Sequence, residues 1–138
     1  MSTSFSILKQ FLEQRAFLQN IPSRSLVSFP KNQFIFREGD TADNFYLLYR
    51  GKVRFVKYHS DGGFRFTLTL VAGSSLGLPA TLTHSSYTAS ALATTTVWSY
   101  PISRSTLQKF LQTYPSYYSL LAQRLAETIT YFEKKLAY

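Results

Sequence analysis

Three groups of residues in this 138-residue chain have types and spacings that bear on chemistry. The first is the stretch Gly73 to Thr88, GSSLGLPATLTHSSYT, where two glycines and a proline are followed by a run of hydroxyls. A Gly-rich turn leading into a short helix presents backbone N–H groups at the turn, and a proline in the first helical turn loses no hydrogen bond by lacking its own N–H. Gly77, Leu78, Pro79 and Ala80 form that turn, with Pro79 expected at the first helical position. Ser86, Tyr87 and Thr88 follow after one more loop. The second group is Glu38-Gly39-Asp40-Thr41 with Asp43. Asp40 and Asp43 read as residues that bond their own turn rather than as a paired acid and base. The third is His59 and His84, which stand alone without a carboxylate or second imidazole at metal-ligand spacing, so no metal site is expected. Serines and threonines are abundant, yet none sits in a Gly-x-Ser-x-Gly or Ser-x-x-Lys setting that would activate it. No catalytic residue is assigned, and the chain is not expected to be an enzyme.

The elements that must hold these residues follow from hydrophobic periodicity. Ser4 to Gln19 places Phe5, Leu8, Leu12 and Phe17 at helical spacing before Pro22, which predicts an N-terminal helix over about 4–19. From Leu26 the pattern turns to short strands. Pro30 and Asn32 break LVSF from FIF, Gly39 and Gly51 bracket FYLLYR, and His59 to Gly63 separates VRFVKY from FRFTLTLV as a hairpin turn would. Two further strands fit within YTASALATTTVWSYPI, with Pro101 at a strand edge or end. Ser103 can cap a helix that turns Leu107, Phe110 and Leu111 inward and stops at Tyr114-Pro115. A last helix begins near Ser116. It carries a narrow stripe of Leu121, Leu125, Thr128, Phe132 and Leu136, suited either to a dimer seam or to packing on its own domain.

This succession makes an α+β domain: a double-stranded β-helix (jelly-roll) barrel over about 25–102, a short N-terminal helix, and C-terminal helices over about 103–138, all in one domain spanning 1–138. The core is expected to take in Trp98, Tyr100 and most of the twelve phenylalanines. The order of an apolar strand, Glu38-Gly39-Asp40, the strand FYLLYRGKVRFV, a polar hairpin and a Gly-rich turn resembles the cyclic-nucleotide-binding domain of the Crp/Fnr family of bacterial regulators. The resemblance runs from about Ser25 to the end. It implies a sensory domain in which a short helix after the Gly-rich turn meets a cyclic phosphate, a glutamate after a glycine takes the ribose hydroxyl, and an arginine pairs with the phosphate. Leu78 stands where that glutamate would be, and Tyr87, followed by Thr88, stands where the arginine would be.

A missing charge-assisted pair forfeits about 1.5 to 3 kcal/mol. The expectation is therefore an effector-sensing regulatory domain with a degenerate phosphate-binding cassette and a ligand other than cyclic AMP. The ligand would be another cyclic nucleotide or small anionic effector, with no certain cofactor. The alternative is a dimerisation or protein-interaction module that has lost ligand binding. The resemblance also implies a homodimer through the last helix. The family's DNA-binding helix-turn-helix would follow that helix, and none is read within this chain. Ending inside an amphipathic helix favours a truncated chain or one that stops at the dimer helix.

Fifteen Lys and Arg against seven Asp and Glu give a charge of +8. Arg50, Lys52 and Arg54 alternate as a solvated strand face does, which argues for general electrostatics rather than a dedicated nucleic-acid surface. The absence of cysteine excludes a disulfide framework and a cysteine nucleophile. No leader or membrane span is read, and the expected location is the cytoplasm.

Overall fold

The computed structural model describes residues 26–58 and 64–136. The N-terminal helix expected over 4–19 and the turn His59 to Gly63 lie outside the described residues. Eight strands and three helices are described: β1 Val27–Phe29, β2 Phe34–Phe36, β3 Asn44–Arg50, β4 Val53–Tyr58, β5 Phe64–Leu70, β6 Ser75–Leu76, α1 Leu78–Leu82, β7 Ser90–Ala93, β8 Val97–Ser103, α2 Arg104–Thr113 and α3 Ser116–Leu136. The strands form two four-stranded sheets, one in the order β1-β8-β3-β6 and the other β2-β7-β4-β5. All pairs are antiparallel. This is the jelly-roll arrangement with helices attached at its C-terminal side.

Strand β3 is the hub, and its composition says why. NFYLLYR is nearly continuous in apolar residues because both of its faces are covered. Phe45 and Leu47 pack with Ile102, Leu107, Phe110, Leu111 and Leu121 on the helical side. Leu48 packs with Ile35, Phe36, Val53, Leu70, Ala91, Ala93 and Val97 between the sheets. Gly51, which ends the β3 edge with φ +105°, is fixed by close approach: a Cβ there would lie 2.4 Å from the Thr96 carbonyl oxygen.

Strand β8 runs through to Ser103, and Pro101 takes an edge position within it, as expected, opposite Tyr46 of β3. The proline is tolerated because β1 covers only Val97, Trp98 and Ser99 of β8, which leaves Pro101 a strand neighbour on one side alone among the described residues. Trp98, expected in the core, is 39 % exposed, because it faces the helical side of the sheet beyond the cluster the helices cover. Arg50, Lys52 and Arg54 are exposed, as their alternation predicts.

The helices end as their sequences dictate. Ser103 caps α2, its hydroxyl accepting the Thr106 N–H at 3.1 Å, and Leu107, Phe110 and Leu111 are buried. Tyr114 closes that helix, its N–H donating to the Phe110 carbonyl at 2.9 Å. Arg104 reaches back to donate to the Leu82 carbonyl at 3.3 Å and so satisfies the end of α1.

Candidate functional site: the cassette around Gly77 and Tyr87

The cassette is assembled on β3. The Gly73 N–H donates to the Leu48 carbonyl at 2.7 Å and the Leu48 N–H to the Ser74 carbonyl at 2.9 Å, after which Ser75 and Leu76 pair with Leu47 and Tyr46. Gly77 then turns left-handed at φ +83° and caps α1, a helix of five residues, without help from any side chain. Leu78 and not Pro79 is therefore the first helical residue, and Pro79 is the second; the proline is tolerated equally well because an N–H in the first turn has no partner within the helix. The Thr81 hydroxyl donates to the Gly77 carbonyl at 3.0 Å. His84, in the left-handed region at φ 55°, reverses the chain.

From Ser85 to Tyr87 the returning segment runs beside the turn between β2 and β3. The Ala42 N–H donates to the Ser85 carbonyl at 3.1 Å, the Tyr87 N–H to the Asp40 carbonyl at 2.9 Å, and the Gly39 N–H to the Tyr87 carbonyl at 2.9 Å. Asp40 is structural: its carboxylate accepts the Arg37 N–H at 3.1 Å and closes its own turn. Glu38 and Lys57 add a clasp at the edge. The Lys57 ammonium donates to a Glu38 carboxylate oxygen and to the Thr88 carbonyl, each at 2.7 Å, while the Glu38 N–H donates to the Ser90 hydroxyl at 2.9 Å.

The two side chains that replace a ribose acceptor and a phosphate partner have opposite fates. Leu78 is 1 % exposed and lies in the helical-side core with Phe45, Leu47, Ile102 and Leu107. The first helical residue packs between sheet and helices, a setting that favours an apolar side chain. Tyr87 is 6 % exposed and enters the cassette itself. Its ring stacks on Phe36 with centroids 3.7 Å apart and planes 9° from parallel, and its hydroxyl donates to the Asn44 carbonyl. The ring also lies against Gly77 so closely that a Cβ there would come within 2.6 Å of it. Burial, with Tyr46 alongside, pushes the Tyr87 phenol up to about 12. Phe36 further stacks on Tyr46 and meets Phe55, and Tyr46 meets Phe29 edge-on, with centroids about 6 Å apart throughout.

Of the other candidates, Ala80 is buried, while Pro79, Ser86 and Thr88 are exposed. The hydroxyl run divides in the same way, with Ser74, Ser75 and Thr81 buried and Thr83, Ser85, Ser86 and Thr88 exposed. It is not one polar lining. Phe36, Asn44 and Lys57 were not singled out from the sequence, nor was the pairing of Lys57 with Glu38; the three come from strands remote in the chain, and only the register of β2, β3 and β4 brings them to the cassette. The lining is aromatic, with the carboxylates of Asp43 and Asp40 close enough to help raise the Tyr87 phenol's pKa, and the ammonium at its edge already has a carboxylate.

On α3, Leu121 is 5 % exposed within the helical-side core and Leu125 is half-buried against the same cluster. These two residues of the stripe therefore serve their own domain, because α2 and β3 present apolar surface directly beneath them. The side chains of Thr128, Phe132 and Leu136 lie outside the described residues. Ile129, on the same helix, is 58 % exposed.

Comparison with known proteins agrees with the fold. The crystal structure of the catabolite activator protein from Thermus thermophilus is similar at 26 % identity and a TM-score of 0.81 over 96 % of this chain, and the chain spans 62 % of that protein's length. The N-terminal domain of a transcriptional regulator from Streptomyces coelicolor A3(2) shares the fold at 21 % identity and a TM-score of 0.75, covering 97 % of this chain and 93 % of that one. The sensor domain of the transcriptional regulator DNR from Pseudomonas aeruginosa shares it at 20 % identity and a TM-score of 0.68, covering 94 % and 91 %. No curated protein matches the sequence. The profile of the cyclic nucleotide-binding domain matches residues 26–114, so this chain belongs to the cyclic nucleotide-binding domain family.

Proposed function

We propose that this chain is a non-enzymatic, effector-sensing domain of the Crp/Fnr type whose effector is not cyclic AMP. The observation that carries the reading is the Tyr87 ring seated between Phe36 and Gly77, in the cassette and in place of the arginine that would pair with a cyclic phosphate. The buried Leu78 removes the acidic side chain that would take a ribose hydroxyl. The reading also includes a cytoplasmic setting, for which the supporting observation is that no helix among the described residues is long and apolar enough to cross a membrane.

Association of two copies through α3 completes the proposal. Its 21 residues span about 32 Å. Leu121 and Leu125 are engaged at home, whereas Ile129 presents an apolar side chain to solvent. Sedimentation at micromolar concentration should show a homodimer, and Ile129→Glu should make it monomeric without unfolding it. A monomeric wild type removes this part of the proposal.

The effector is tested by a thermal-shift screen of cyclic nucleotides, cyclic dinucleotides, 2-oxo acids and neutral aromatic compounds. A ligand of the folded state present at one hundred times its dissociation constant stabilises by about 2.7 kcal/mol. Cyclic AMP should give no shift, and submicromolar binding of it in calorimetry overturns the reading. The filled cassette favours one second reading, an interaction module without a ligand, which predicts that the dimer forms and that no compound in the screen shifts the transition.

A further inference from the structure

We infer that the effector of this cassette is a small, neutral, planar aromatic molecule bearing a hydrogen-bond donor, which binds by replacing the Tyr87 ring between Phe36 and Gly77 and donating to the Asn44 carbonyl. The inference rests on the sensor reading above and names the class of its ligand.

The space Tyr87 occupies has three walls, each of which selects. The Phe36 face, 3.7 Å from centroid to centroid and nearly parallel, admits only a flat group. Gly77 forms the second wall: with no Cβ, it lets a ring edge approach its backbone where any other residue would collide. The third is the Asn44 carbonyl, which accepts the Tyr87 hydroxyl and would be left unsatisfied by a guest unable to donate. The three walls carry no cation, and the nearby carboxylates of Asp43 and Asp40 disfavour a negative charge on the occupant. Lys57 stands outside, already paired with Glu38. The elevated phenol pKa of Tyr87 accords with a slot that keeps its occupant neutral.

Tyr87 is also placed to leave. Its backbone N–H and carbonyl are both held by the facing turn, through Asp40 and Gly39, while its neighbours Ser86 and Thr88 are exposed. In the exchange we infer, the ring leaves by rotating about χ1 while these backbone bonds hold. Tyr87 is in this sense the resident stand-in for the ligand, and exchanging one for the other changes what links the cassette to β2 and β3.

The probe is 4-methylphenol, the Tyr87 side chain as a free molecule, with toluene as its donor-free counterpart. Both are titrated into wild type, Tyr87→Phe and Tyr87→Ala by calorimetry, and the amide resonances of Gly77 and Asn44 are followed by NMR. The expected result is saturable 4-methylphenol binding to all three proteins with shifts at both amides. Binding should be at least tenfold tighter in Tyr87→Ala than in wild type, since no ring need be expelled, and toluene should bind at least tenfold more weakly than 4-methylphenol. Should Tyr87→Ala not fold, Tyr87→Phe carries the test: it keeps the ring, loses the anchor to Asn44, and should bind 4-methylphenol more tightly than wild type. Absence of binding to both wild type and Tyr87→Phe, or equal affinity for toluene, overturns the inference. An effector from the screen that binds with the Tyr87 ring still stacked on Phe36 overturns it too, while leaving the sensor reading intact.

Discussion

The two cores of this domain lie on opposite faces of one strand and are built differently. On the helical side of β3, Phe45, Leu47, Leu78, Ile102, Leu107, Phe110, Leu111 and Leu121 form an apolar cluster whose members come from regular strands and helices. On the other side, between the sheets, Phe36, Tyr46, Phe55 and Tyr87 make ring contacts, and Tyr87 reaches its place from a loop. The buried side chains of the first are all hydrocarbon, with the partly buried rings of Tyr100, Tyr114 and Tyr117 packed against them. The second includes a buried hydroxyl that donates to the Asn44 carbonyl and a ring held against Gly77. Of two positions that differ from a nucleotide-binding pattern, Leu78 has become part of the helical-side core and Tyr87 part of the one between the sheets. The difference teaches that two neighbouring departures from one pattern have unlike structural consequences, one side chain filling the helical-side core and the other stacking on Phe36.

The largest way to break that contrast is Leu78→Glu. A carboxylate placed at a position 1 % exposed loses the leucine's packing and gains an unpaired charge, so urea unfolding should show a loss of about 5 kcal/mol. The loss should lessen in acid, since burial raises the introduced carboxyl's pKa above the ordinary value of about 4.3 and the neutral form is the tolerated one. A fully stable variant would show that this residue faces solvent or a cavity.

Gly77→Ala comes next. It combines a left-handed φ of +83° with a Cβ 2.6 Å from the Tyr87 ring, and about 3 kcal/mol is expected from the two together. In a Tyr87→Ala background the steric share should vanish and the backbone share persist, so a double-mutant cycle measures how tightly ring and turn are coupled. Simple additivity would separate them.

Tyr87→Phe sharpens the comparison further. It keeps the stack, removes the bond to the Asn44 carbonyl, and should cost about 1 kcal/mol. The pH dependence has a definite sign. The folded-state pKa of Tyr87 is raised from 10.0 to about 12, so the folded protein holds this proton where the unfolded chain releases it. Its contribution is fully present below pH 10 and is lost as pH rises towards 12. Unfolding transitions across that window should fall more steeply for wild type than for Tyr87→Phe.

The smallest effect belongs to Lys57→Met. The clasp to Glu38 is partly solvated, with the two side chains 28 % and 37 % exposed, and should be worth under about 1 kcal/mol. A larger loss would mean that the Thr88 carbonyl, and with it the seat of Tyr87, depends on this ammonium.

What the sequence determined by itself is what local rules govern. The left-handed glycines at 39, 51 and 77, the Ser103 cap and the stop at Tyr114-Pro115 each follow from the conformational freedom or hydrogen-bonding capacity of the residue concerned. Strand periodicity fixed the roll, and the motif order pointed to its family. The direction of Leu78 into the helical core, the division of the hydroxyl run, and the meeting of Tyr87 with Phe36 and Asn44 were decided only by the tertiary structure. The last of these joins residues 51 and 43 positions apart in the chain (87 minus 36, and 87 minus 44). No local pattern encodes such a meeting, because it depends on the register of strands paired across the sheets and on which face of a five-residue helix the roll buries.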